Sequence, residues 1–162
     1  MMKNYFLFFA ALFFLNGCVS VQITPNKSRK AQDAKFQEPS SPFKKLQIEN
    51  ADSAWQSQKT GNTIAFISEC NGNDQSLNSL ERESLATMSK AQLLKSQPID
   101  FSGREALESF IEGQVDGINV KLSQIIFKKN GCNFILSYVG RKESFETETN
   151  IFDAWKKTVR VP

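Results

Sequence analysis

Two dipeptides restrict what this chain can fold into more than anything else in it: Asp116-Gly117 and Asn130-Gly131, each set between long apolar runs. A two-residue type I′ turn needs φ > 0 at both central positions, which Asp, Asn and Gly tolerate, and it joins neighbouring antiparallel strands. Glu105 to Val115, Ile118 to Lys129 and Cys132 to Val139 therefore read as three consecutive antiparallel strands. Along the middle strand Ile118, Val120, Leu122 and Ile126 share one face while Ile125 and Phe127 break the alternation, so part of the sheet is expected to be covered on both sides.

The rest of the folded part follows from the same signals. Trp55-Gln56-Ser57 and Thr63 to Ser68 flank the Gly-bearing turn Lys59-Thr60-Gly61-Asn62 and read as a first hairpin. After the turn cluster Asn71 to Asp74, the residues Leu77, Leu80, Leu85 and Met88 fall within an arc of about 140° at ~100° per residue, an amphipathic helix capped by Asp74 or Ser76. Pro98 ends any further helical extension, and Ile99-Asp100-Phe101 begins a strand that turns at Ser102-Gly103-Arg104. A closing helix is expected from Ser144 or Phe145 to Thr158, with Glu146 and Glu148 in its first turn, Lys156 and Lys157 in its last, and Phe145, Ile151, Phe152, Trp155 and Val159 on its buried face. The order is ββ-α-ββββ-α: an antiparallel β-sheet with two helices, class α+β, in one domain and without internal repeats.

The N-terminus carries an address. Lys3 and the free amino group precede an apolar run of eleven residues, Tyr5 to Leu15. A helix of that length spans roughly 16 Å, about half of a ~30 Å hydrocarbon core, which fits a cleaved signal and not a transmembrane helix. The run ends in Leu15-Asn16-Gly17-Cys18, which resembles the bacterial lipobox, with Asn16 less usual at its place than Ala or Ser. That resemblance implies a signal peptide over residues 1–17, diacylglycerol on the Cys18 sulfur, cleavage before Cys18 and acylation of the new N-terminus. Two or three acyl chains anchor firmly where one binds marginally. The competing reading is an ordinary secretory signal that Cys18 happens to follow; no small-x-small cleavage site is evident in Val19-Ser20-Val21-Gln22. Val19, where the sorting rule of enteric-type bacteria reads Asp as inner membrane, implies the outer membrane, facing the periplasm.

From Val19 to Lys45 six basic residues stand against Asp33 and Glu38, with Pro25, Pro39 and Pro42 and no helical or strand period. This reads as a flexible basic tether, so that residues 18–45 form the lipidated N-terminus and spacer, and residues 46–162 the single folded domain. The tether is expected to act as a solvated spacer or, through its charge, to be drawn to anionic lipid.

The run Ile99-Asp100-Phe101-Ser102-Gly103-Arg104-Glu105-Ala106, then Asn130-Gly131-Cys132-Asn133-Phe134-Ile135-Leu136-Ser137-Tyr138, then a terminal helix with Phe145 and Phe152, resembles the PsbP-like α/β/α sandwich, whose members include DcrB-type bacterial lipoproteins. The resemblance spans about Ala51 to Val161 and implies the fold; family members mostly bind or stabilise other proteins and share no catalytic set. No photosynthetic signature is identifiable here, and a cysteine pair is added.

Function is bounded mainly by what is missing. Histidine is absent from the 162 residues, which removes Ser-His-Asp and Cys-His nucleophile systems and His-ligated zinc. A formal charge of +3 is too balanced to argue for a nucleic-acid groove. With Cys18 given to lipid, Cys70 and Cys132 form an even pair, for which a disulfide is expected and two separate buried thiols are the alternative. Such a bond would close a loop of about 62 residues, worth roughly 4 kcal/mol in the chain-entropy model. Glu81 and Glu83 point to different sides of a helix, and Glu105 and Glu108 to opposite faces of a strand, so these carboxylates and Glu112 are expected to be solvated and not a glycosidase pair. Trp55 and Trp155 are expected in the core. The expectation is a non-enzymatic interaction or structural module, with no catalytic residues, metal or cofactor, the bilayer as one partner through Cys18 and an envelope protein as another. The alternative is a small-ligand or envelope-polymer binding protein. An apolar cleft lined by Trp55 or Phe66 would favour the ligand; a flat apolar patch would favour the protein.

Overall fold

The computed structural model describes residues 29–70 and 74–161. The expected signal peptide, Cys18 and the first part of the expected tether lie outside the described residues. Seven strands form one antiparallel sheet: β1 (Phe43–Leu46), β2 (Ser53–Ser57), β3 (Thr63–Cys70), β4 (Ser89–Asp100), β5 (Glu105–Val115), β6 (Ile118–Lys129) and β7 (Cys132–Arg141), in the order β1-β2-β3-β7-β6-β5-β4. Helix α1 (Leu77–Ala86) lies between β3 and β4, and a 3-10 turn (Phe145–Glu148) leads into helix α2 (Thr149–Lys156). The class is α+β, one antiparallel sheet with two helices, as the sequence implies.

The two hairpins that the sequence demands form as expected. Asp116 and Gly117 have φ of 51° and 79°, Asn130 and Gly131 of 51° and 74°, and both pairs join strands in unbroken register. The register sorts side chains to two faces. On one, Ala106, Ile125, Phe127, Phe134, Leu136, Tyr138, Ile64 and Phe66 meet Phe145, Phe152, Trp155 and Val159 of the C-terminal segment in the main core. On the other, Met88, Ile111 and Val120 form a second cluster that Leu85 of α1 joins. The double burial read from Ile125 and Phe127 thus has its cause: α1 covers one face and α2 the other.

Three expectations are corrected. The boundary at Leu46 falls inside β1, and the proposed tether is folded from Arg29 onward. Arg29 exchanges both backbone hydrogen bonds with Cys70, and Lys35 does so with Arg160. Ala31, Ala34 and Phe36 pack on the core, with the Phe36 ring 4.9 Å from Phe66 and edge-on to Trp55 at 5.7 Å. The prolines and lysines hide this apolar spacing because the segment is pinned by tertiary contacts and not by a regular period. Second, Ser89 to Pro98 is not a helical extension: β4 runs the whole way from Ser89 to Asp100, and Met88 lies beyond α1. Pro98 is tolerated because β4 is an outer strand, with one hydrogen-bonding side unpartnered. The same strand has register shifts at Ser89/Gln92 and Leu93/Lys95, which interrupt its free edge. Third, the closing helix begins as a 3-10 turn, and Glu148 is buried instead of serving the helix dipole. Of the two expected caps on α1, Ser76 is used: its side chain accepts from the Ser79 N–H.

Candidate functional site

The 3-10 turn and α2 pack over β7, and the same sheet face is left open toward β5 and β4. A groove of about 260 Å³ lies there, with Leu94, Phe110, Phe145 and Phe152 as its apolar lining and Lys121, Glu146 and Asp153 among its polar residues. Leu94 stands at the second β4 register shift and is 55% exposed. Lys95 and Lys121 sit over the Phe110 and Phe145 rings, each 5.7 Å from the centroid, so the aromatic lining is flanked by cations.

The charges beside the groove are held in pairs. Lys121 reaches Glu146 at 3.0 Å and Glu112 at 3.7 Å, and Lys142 reaches Glu112 at 2.9 Å. The hydrogen bond from Lys142 holds the Glu112 carboxyl below its ordinary range, and that to Glu146 holds the Lys121 ammonium above its own. A carboxyl kept ionised is a poor proton donor at neutral pH, so this rim is suited to recognition more than to acid catalysis.

Behind the groove lies a polar knot that sequence reasoning misses. Glu148, 3% exposed, accepts from Ser57 Oγ at 2.7 Å and Thr60 Oγ1 at 2.5 Å, and from Asn62 Nδ2 at 3.3 Å. Asn62, wholly buried, also donates to the Tyr138 hydroxyl at 2.8 Å and accepts from Ser144 Oγ at 3.0 Å; Tyr138 in turn donates to the Phe145 carbonyl at 2.6 Å. Burial pushes the Tyr138 phenol up to about 12, helped by the Glu148 and Glu146 charges. The knot ties the β2–β3 turn to the start of α2 and so fixes one wall of the groove. Its only advance signal is Asn62 directly after Gly61; nothing in the sequence points Glu148 toward it.

The expected carboxylates do not converge. Glu81 is buried under α1 on a hydrogen bond from Ser109 Oγ, while Glu83 is exposed and accepts from Gln75 Nε2 at 2.6 Å. Glu105 is exposed, and Glu108 on the other face pairs with Lys156 at 3.3 Å and accepts from Gln97 Nε2 at 2.8 Å. Among the described residues no cluster of three or more Cys, Asp or Glu could hold a metal ion. Cys70 and Cys132 face each other across β3 and β7 and are joined by a disulfide, closing a loop with a sequence separation of 62. Trp55 and Trp155 are core, 1% and 2% exposed with rings 5.7 Å apart, and Phe66 packs with them, so the cleft that would have favoured a ligand at Trp55 or Phe66 does not form.

No protein-family model matches the chain, and no curated protein matches it. Solved structures do share its fold. Cyanobacterial PsbP (CyanoP) from Synechocystis superposes with a TM-score of 0.56 at 13% identity, over 91% of this chain and 99% of its own. LpqN, involved in cell envelope biogenesis of Mycobacterium tuberculosis, gives 0.59 at 11% identity over 84% of this chain and 86% of its own. A Pseudomonas aeruginosa protein of unknown function, described as a putative regulator, gives 0.52 at 17% identity over 78% and 85%. Identities this low establish the shared fold and carry no activity with them.

Proposed function

We propose that this chain is a lipid-anchored cell-envelope protein that works as a non-enzymatic interaction module, and that the groove beside β4 is where a protein partner seats an apolar side chain. One observation carries the reading. Of the large hydrophobics exposed among the described residues, Ile48, Leu93, Leu94, Val115 and Ile118, all but Ile48 lie on β4 or at the tip of the β5–β6 hairpin: Leu94 lines the groove, and Leu93, Val115 and Ile118 stand by register on the α1 face of the same border of the sheet. Apolar side chains gathered at one border mark a contact surface. The bulges and Pro98 on β4 disfavour addition of a partner strand, so contact is through side chains. The groove's 260 Å³ supports a second reading, a small ligand, less well: it is below the roughly 300–1,000 Å³ usual for small-molecule pockets.

The lipobox at Leu15 to Cys18 supports the anchor, and Val19 supports outer-membrane sorting. Cys18→Ser should abolish fatty-acid labelling and leave the precursor unprocessed; normal labelling refutes the anchor, and fractionation with the inner membrane refutes the sorting alone. For the contact surface, a photocrosslinking side chain placed at Leu94 in the full-length protein in its own membranes should give a discrete protein adduct that the same probe at exposed Lys44 on β1 does not. No adduct from Leu94 refutes the reading. A small molecule that raises the melting temperature of the wild type and loses its effect in Leu94→Asp would replace it by the ligand-binding one.

A further inference from the structure

The two ends of the sheet arrange their charges differently. At one, the chain enters the described structure at Arg29, hydrogen-bonded to Cys70 where β3 ends. Arg29 lines a shallow cavity with Lys129 and Asp33, and Lys157 and Arg160 line a second one with Asp100 beside the β4–β5 turn. The two adjoin, because Lys129 Nζ donates to the Val161 carbonyl, and Lys35 extends them through its backbone pairing with Arg160. None of Arg29, Lys35, Lys129, Lys157 and Arg160 is in an ion pair among the described residues, whereas the neighbouring Lys30 and Lys156 are spent on Asp52 and on Glu108 and Asp153. Five unpaired cations thus gather around the two cavities, whose linings hold only the carboxylates of Asp33 and Asp100; Arg104 and the exposed Glu69 and Glu105 stand at the same end outside those linings. At the opposite end charges alternate in sign: Lys121 and Lys142 are held by Glu112 and Glu146, and Asp116 and Glu143 stand near Lys90 and Arg141 in the same set of turns.

The basic end is the one at which the described chain begins, at Arg29. Eleven residue steps separate Cys18 from Arg29, which whatever their conformation reach at most about 38 Å. A twelve-residue strand such as β6 is itself ~40 Å long, so an anchor within about 20 Å of Arg29, half that length, is nearer this end than the other. We infer that the end of the domain bearing Arg29, Lys35, Lys129, Lys157 and Arg160 is a docking surface for anionic phospholipid headgroups, holding the sheet end-on to the membrane. Its orientation rests on the anchored reading above; its affinity for anionic lipid does not. Docked this way, the β5–β6 tip with Val115 and Ile118 points away from the bilayer, toward a partner.

The test uses the chain from Cys18 onward carrying Cys18→Ser, so that no acyl chain contributes. It should float with phosphatidylcholine vesicles containing phosphatidylglycerol at low salt, stay behind with phosphatidylcholine alone, and be released by high salt. Each basic residue near a negative surface is worth roughly fivefold in partitioning, so Arg29→Gln, Lys35→Gln and Lys157→Gln together should weaken binding about 100-fold. These three side chains are exposed, and circular dichroism should be unchanged. Lys59→Gln, Lys90→Gln and Arg141→Gln remove the same charge at the other end and should leave binding within a few-fold. Equal partitioning into both vesicle types, or equal loss in the two triple variants, overturns the inference. A chain that binds the vesicles yet takes up no fatty acid in the labelling experiment keeps the surface and loses the anchor.

Discussion

Gly140→Ala tests the polar knot that walls the groove. Gly140 lies on β7 with ordinary strand backbone, so alanine adds no conformational strain and would be expected to gain slightly in strand propensity. Its new Cβ, however, would stand 2.1 Å from Asn62 Oδ1 and 2.6 Å from Asn62 Cγ. Asn62 is wholly buried and held at both ends of its amide, so it cannot yield by a few tenths of an ångström without releasing Tyr138, Ser144 and Glu148. Overpacking costs about 1–3 kcal/mol, and a buried group left without its partner about 1–3 more, so a loss of roughly 3–4 kcal/mol is expected. Urea unfolding followed by the fluorescence of Trp55 and Trp155, both core residues, measures it directly. The diagnostic variant is the double one. Asn62→Ala alone should destabilise by about 2–3 kcal/mol, but with Asn62 truncated the alanine at 140 has nothing to strike, so the two losses should fall short of additive by at least about 1 kcal/mol. A single variant within about 0.5 kcal/mol of wild type, or strict additivity in the double, refutes the reasoning.

Four other outcomes follow from the same geometry. From Cys18 onward Tyr138 is the one tyrosine, so phenolate absorbance should titrate with a midpoint near 12 in the folded protein, and a midpoint near 10 with the fold intact rejects its burial. Because the unfolded phenol ionises near 10, the unfolded state holds fewer protons above that pH; Tyr138 should therefore withdraw about 2 kcal/mol of stability between pH 10 and 12 and none below, seen as a falling urea midpoint. Cys132→Ser should lower stability by a few kcal/mol and leave Cys70 open to thiol labelling, whereas unchanged urea midpoints argue against the bond. No turnover of glycan, peptide, ester or phosphoester substrates is expected, and activity lost in Glu81→Gln, Glu105→Gln or Glu108→Gln with the fold intact would make the protein an enzyme.

How far the fold was legible depended on whether the determining signal was local. Asp116-Gly117 and Asn130-Gly131 state their turns outright, and with the register fixed there, the faces of β5, β6 and β7 follow from alternation alone. Nothing local announces β1 or the chain from Arg29 to Phe36. Their backbone groups are paired with Cys70 and Arg160, far along the sequence, and Phe36 is held by two tryptophans and Phe66. β4 is hidden for the opposite reason: proline is a local stop signal, and it overrides the strand signal unless the strand is an outer one, as β4 is.

The candidate site was less legible than the fold because its parts are neither rare nor periodic. Glu148 reads as a first-turn acid that the helix dipole favours, yet three donors from the end of β2 and the β2–β3 turn draw it inside, and the sequence of that turn signals only a turn. Leu94 reads as one apolar residue among several; its exposure comes from a register shift on an outer strand, which no composition or period encodes. The basic surface shows the same limit from the other side. Arg29 and Lys35 belong to a run whose charge is plain in the sequence, but Lys129, Lys157 and Arg160 come from a hairpin and the C-terminal segment, and only the antiparallel topology gathers them at the end where the chain from Cys18 arrives. Charge placement of this kind depends on the sequence laid over the fold, so proteins that share the fold at 11–17% identity are free to differ in it, and each surface has to be read on its own residues.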